Sequence, residues 1–183
     1  MSSSGVKPVA PEVTGQPIDQ VADQFTIYQV DYANLTHGAA LVSLLDAYAK
    51  DPMGGGEGLS DFAKTNLVTS LAARPQAFSV LAAVGNTPVG LVNCIEGFST
   101  FACKPLVNVH DVVVLPGYRS QGIAAKMLSF CETLARDRGA CKLTLEVLQG
   151  NLGAMRVYQR FGFAGYQLAS TSGQAQFMQK WLK

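Results

Sequence analysis

The stretch His110 to Ala124 restricts this chain more than any other. The apolar run Val112-Val113-Val114-Leu115 enters Pro116-Gly117-Tyr118-Arg119-Ser120-Gln121, and Gly122-Ile123-Ala124 opens directly onto a helix. A strand that turns at once into a helix puts both kinds of element into one core. The turn also has a chemical consequence. The first backbone N–H groups of a helix lack internal partners and sit at the positive end of its dipole. With a glycine that lets the backbone come close, they form an anion site suited to a pyrophosphate. Arg119 adds a guanidinium fork to the amides of Ser120, Gln121, Gly122, Ile123, Ala124 and Ala125.

The rest of the chain predicts a mixed architecture. Residues 1–23, rich in Ser, Pro, Gly and Val without periodicity, read as a flexible tail, and residues 24–183 as one domain. Phe25 to Val30 alternates like a strand. Leu35, Leu41, Val42, Leu44, Leu45 and Tyr48 recur at helical spacing until Asp51-Pro52 stops the helix. Met53 to Gly58 reads as a loose loop, and a second helix starts from Ser60 as N-cap and ends near Arg74-Pro75. Strands follow over Phe78 to Val84, Val89 to Phe101 and Leu106 to Leu115, with Gly85 to Pro88 as a turn. A long helix from Gly122 to Arg138 is closed by Gly139. Leu143, Leu145 and Val147 alternate with Lys142, Thr144 and Glu146, as in a strand with one polar face. Asn151 caps a short helix to Phe161, and Phe163 to Ala169 and Gln174 to Leu182 read as two closing strands.

Composition removes several classes of function. A formal net charge of +1 gives no basic surface for nucleic acid. The apolar runs are too short to cross a bilayer, and the N-terminus lacks a signal-peptide pattern, so the expectation is a cytoplasmic protein. Cys94, Cys103, Cys131 and Cys141 are scattered without C-x-x-C spacing. They read as reduced thiols, and no metal is expected.

Arg119-x-x-Gly122-x-Ala124 resembles the Q/R-x-x-G-x-G/A signature of the GNAT acetyltransferases, in the same strand–turn–helix context. Asn151-x-x-Ala154-x-x-x-Tyr158-x-x-x-Gly162-Phe163 resembles that family's later cofactor motif. The likeness runs from about Phe25 to Leu182, with the specific motifs between Leu106 and Phe163. It implies an α+β fold: a mixed, mostly antiparallel sheet flanked by helices and splayed at a slot for acetyl-CoA. By the same likeness, the loop at Gly122 would hold the coenzyme A pyrophosphate, Asn151 would lie at the pantetheine arm, and Tyr158 would lie beside the thioester sulfur. Pantetheine is peptide-like, so the backbone of Val112, Val113 and Val114 can pair with it as an added strand.

The implied reaction is direct transfer of acetyl to an amine, a small molecule first and a protein or peptide amine second. A non-catalytic acyl-CoA-binding regulatory domain is the rival reading, and homodimerisation is an open expectation. Phe98-Ser99-Thr100-Phe101 and Lys104-Pro105-Leu106 resemble the polyamine and diamine branch, in which a Glu stands where this chain has His110. Tyr158 is the candidate acid at the leaving thiolate. His110 is a candidate base with Glu146 as its competitor, and Asp111 is expected on the opposite face from His110. Asp46, Asp51, Glu57, Asp61 and Glu96 read as solvated acids. Their convergence at the sulfur end would favour a cationic amine.

Overall fold

A computed structural model describes residues 25–166 and 175–182. Its elements are β1 (Thr26–Gln29), α1 (Leu35–Lys50), α2 (Asp61–Ala72), β2 (Ala77–Val84), β3 (Thr87–Ser99), β4 (Lys104–Val114), a 3₁₀ turn (Pro116–Tyr118), α3 (Ile123–Asp137), β5 (Leu143–Leu145) and α4 (Leu152–Phe161). Each helix start has a local cause. The Asn34 side chain accepts from the Thr36 and His37 amides, Ser60 from Ala63, and Asn151 from Ala154. α1 stops where Pro52 forces Asp51 into an extended conformation (ψ 139°). α3 ends as its glycine predicts. Gly139 takes φ +74°, and the Ala140 amide reaches back to the Ala135 carbonyl at 3.0 Å.

The strands lie side by side in the order β1-β2-β3-β4-β5. The first three pairings are antiparallel, and β4–β5 is parallel, reached through α3. Apolar side chains on the two faces of the sheet build two cores. On one face Phe78, Val80, Val92, Cys94, Val107 and Val109 pack on Ile123, Met127, Leu128 and Cys131 of α3. On the other, Leu81, Leu91 and Val113 pack on Ala40, Leu41 and Leu44 of α1. Complete burial of a leucine such as Leu41 is worth about 1.5–3 kcal/mol. α1 and α2 come close because Gly38 faces Val68; a Cβ there would lie 3.3 Å from it.

The expected α+β fold stands, with two differences at its C-terminal end. β5 stops at Leu145, so Glu146 and Val147 lie beyond the strand. β4 turns away at that level and leaves them nothing to pair with. Of the two closing strands read from the sequence, residues 163–166 and 175–182 carry no regular structure. The Ala175 amide donates to the Tyr166 carbonyl at 3.2 Å. Residues 167–174 lie outside the described part, as do residues 1–24.

Replacing Asn34 by Ala removes the side-chain cap of α1. The expected cost is about 1 kcal/mol, read as a fall of roughly 2–4 °C in Tm by calorimetry.

Candidate functional site

One irregularity in the sheet builds the site. β3 and β4 pair residue for residue, Leu91 with Val113 and Asn93 with Asp111, and then Cys94 pairs with Val109. His110 is the extra residue of a β-bulge. A bulge reverses the alternation of side chains beyond it and bends the strand. Val107 and Val109 therefore enter the α3 core, while Val113 enters the α1 core. His110 and Asp111, expected on opposite faces, both line one cavity of about 520 Å³ between the sheet, α1, α2 and the 51–59 loop. Its apolar walls are Leu45, Leu59, Leu67, Leu71 and Ile95, and its polar groups include Tyr48, Ser70, Arg74 and Asn93.

The same bulge opens β4 on its other edge. Pairing with β5 covers only Val107 to Val109. The Leu115 amide donates to Val89 at 2.9 Å, so by alternation Val113 faces β3, and Val112 and Val114 turn their peptide groups to the open edge. That edge leads to the start of α3. Ser120 (φ +64°) and Gly122 (φ +81°) are both left-handed, and no side chain caps the helix. The amides of Ile123, Ala124 and Ala125 are thus left without helical partners. A Cβ placed on Gly122 would meet nothing within 4 Å, so the space over the turn is open. Open strand edge, uncapped helix start and clear space fit an extended ligand with an anionic end.

Arg119 behaves differently from the free fork expected. Its Nε donates to the Val114 carbonyl at 2.9 Å, and its NH2 group pairs with Asp51 at 3.0 Å. Gln121 turns back to the Gly117 carbonyl at 3.3 Å. Asp51 in turn shapes the loop expected to be slack. Its side chain takes the Met53 amide, and its carbonyl takes the Gly54 and Gly56 amides. Gly54 lines the cavity, and a Cβ there would fall 2.0 Å from the Tyr48 carbonyl. The loop is tied again at Asp46, which accepts the Leu59 amide and pairs with Lys50 at 2.6 Å and Lys64 at 3.3 Å.

Tyr158 is half-buried on α4, with its ring edge-on to Phe163 at 5.9 Å. Burial pushes its phenol up to about 12, and the neighbouring Tyr48 adds to the rise. Tyr48 is itself raised by burial and then by the charges of Asp111 and Asp51. Tyr48 thus lies electrically between the cavity and α4. Asn151 spends its side-chain oxygen on the α4 cap at 3.1 Å. Glu146 is exposed, held by Asn108 at 3.2 Å, and does not line the cavity. The sequence reading missed Tyr48, Arg74 and a buried polar file. Tyr32 and Ser79 hydroxyls meet at 2.9 Å, Ser79 donates to Asn93 at 2.6 Å, and Asn93 donates to Asp111 at 3.0 Å. Ser79 (0% exposed) and Asn93 (4%) were legible as lone polar residues inside apolar strands.

Comparison with known proteins gives the family and the fold. The model of the acetyltransferase (GNAT) family matches residues 39–163. Streptothricin acetyltransferase of Streptomyces lavendulae is 35% identical over 79 residues, 42% of this chain and 42% of that one. An uncharacterized N-acetyltransferase of Archaeoglobus fulgidus is 30% identical over 62% of this chain and 82% of its own. The fold superposes on an aminoglycoside acetyltransferase from an uncultured soil metagenomic sample in complex with trehalose. The TM-score is 0.69 at 17% identity, over 88% of this chain and all of that one.

The lowered carboxyls set an acid limit. Lys50, the Leu59 amide and Lys64 hold Asp46 down to about 2, against about 3.9 in an unfolded chain. A depressed carboxyl contributes stability above the unfolded value and loses it as pH falls through the folded one. Asp46→Asn is therefore expected to be less stable than the parent above about pH 4. Thermal melts of the two should converge as pH falls towards about 2.

Proposed function

Because the chain belongs to the GNAT acetyltransferase family, whose cosubstrate is acetyl-CoA, we propose that it moves an acetyl group to a small primary amine seated in the cavity beside His110 and Asp111. The observation that carries this reading is the bulge: a single irregularity opens a slot on one edge of β4 and an acceptor cavity on its face. The streptothricin acetyltransferase relative supports a small-molecule acceptor.

Acetyl-CoA supplies an activated thioester carbonyl. The amides at the start of α3 bind the anionic end, Gly122 gives it room, and the outward peptide groups of Val112 with the outward N–H of Val114 align the extended arm. An outward N–H at that edge stabilises negative charge on the carbonyl oxygen. The acceptor enters as an ammonium and passes one proton to His110. Its nitrogen then bonds to the acetyl carbon as the C–S bond breaks, and the remaining excess proton ends on the sulfur. Tyr158 assists at that sulfur. A phenol near 12 is a poor outright donor to a thiolate whose conjugate acid lies near 8.5. Its service is a hydrogen bond that steadies the leaving charge, and it keeps its own proton at every working pH. Glu146 lies outside the cavity, which favours His110 as the base.

Three measurements test this. Acetyl-CoA at about 100 times its Kd should stabilise the chain by roughly 2.7 kcal/mol in a thermal-shift titration; Gly122→Asp should abolish that shift while leaving the apo melt cooperative. Tyr158→Phe should keep the shift and lower kcat by about 10²–10³-fold in a thiol-release assay. His110→Ala should flatten the acidic limb of kcat/KM, and Glu146→Gln should leave it in place. An intact limb in His110→Ala would remove His110 as the base.

A further inference from the structure

Charge bookkeeping around the cavity narrows the acceptor. Two acids beside it are neutralised within the chain. Asp46 holds Lys50 and Lys64, and Asp51 holds Arg119. Among the residues that line the cavity, Asp111 is the one carboxylate and Arg74 the one guanidinium. Asp111 has a fixed position: Asn93 grips one of its oxygens, and Asn93 is anchored through buried Ser79 to Tyr32. No hydrogen bond from a described residue engages the other oxygen of Asp111. Arg74 follows the C-terminal end of α2, where its NH1 group donates to the Ser70 carbonyl. No described residue occupies its remaining donors. The same lining carries the apolar side chains of Leu45, Leu59, Leu67, Leu71 and Ile95.

A site whose lining holds one negative and one positive group among apolar side chains is complementary to a ligand of the opposite pattern. A polycation would leave all but one of its charges unmatched and set one against Arg74, which is unfavourable. Resting on the acetyl-transfer reading above, we propose that the acceptor is a zwitterionic, amino-acid-like amine. Its ammonium sits on Asp111 next to His110, its aliphatic body lies on the leucine wall, and its carboxylate is read by Arg74. Diamines, polyamines and aminoglycosides are disfavoured acceptors, in contrast with the branch that Phe98 to Phe101 resembles. Arg74 acts on specificity and Asp111 on ammonium binding.

The test uses matched acceptors of the same carbon chain: a series of α- and ω-amino acids, their carboxamides, and the corresponding diamines. kcat/KM is measured by thiol release with the whole chain, and acetyl-CoA binding is followed separately by thermal shift. The amino acid of best length should exceed its amide and its diamine by about tenfold or more, the usual worth of a charged hydrogen-bonded contact. Arg74→Gln should erase that preference by slowing the amino acid alone, while Asp111→Asn should slow all three. Equal or better use of the diamines by the parent overturns the proposal, as does an unchanged ratio in Arg74→Gln. Normal acetyl-CoA binding with no turnover of any zwitterion also overturns it and leaves the acetyl-transfer reading standing. Failure to bind acetyl-CoA sinks that underlying reading instead.

Discussion

The shape of the cavity and the open edge of β4 depend on one extra residue in one strand. Without His110 as a bulge, β4 would continue its alternation beside β3, Val113 would change faces, and the core against α1 would lose a member. Strand β4 would also stay parallel to β5 instead of parting from it after Val109. Cavity, slot and the unusual exposure of a strand histidine are therefore one feature seen from three sides. The energetic support is distributed: two apolar cores, one on each face of the sheet, hold the bend in place.

A second constraint joins parts that the sequence keeps far apart. Arg119 reaches from the turn before α3 to Asp51 at the end of α1, and its other edge takes the Val114 carbonyl. The turn before α3, the open edge of β4 and the loop that walls the cavity thus share one side chain. Such an exposed pair contributes little to global stability. Its importance is geometric, since Asp51 also fixes the amides of Met53, Gly54 and Gly56.

The sequence made the order of elements legible as far as α4, because caps and breakers stand at their ends: Asn34, Ser60, Asn151, Pro52 and Gly139. It also made the turn before α3 legible, since Gly122 opens a helix directly behind an apolar strand. The bulge was not legible. Strand alternation is a local rule, and the register shift at Asn93 and Cys94 is decided by both packed faces together. For the same reason His110 and Asp111 were assigned to opposite faces. The loop at Met53 to Gly58 was read as slack from its glycines, yet its order comes from Asp46 in α1 and Asp51 just past its end, both outside that stretch. Arg119 was read as a free cation because its partner lies 68 residues away.

The internal pairing of acids around the cavity has a consequence for how such a chain can change. Arg119 masks Asp51 through a pair that is itself half-exposed. Its loss by a single codon change would release a negative charge on the loop that walls the cavity, and would also untie that loop from the turn before α3. A descendant whose cavity favours more cationic ligands thus lies one substitution away, and the bulge and the two cores that hold it would remain those of its parent.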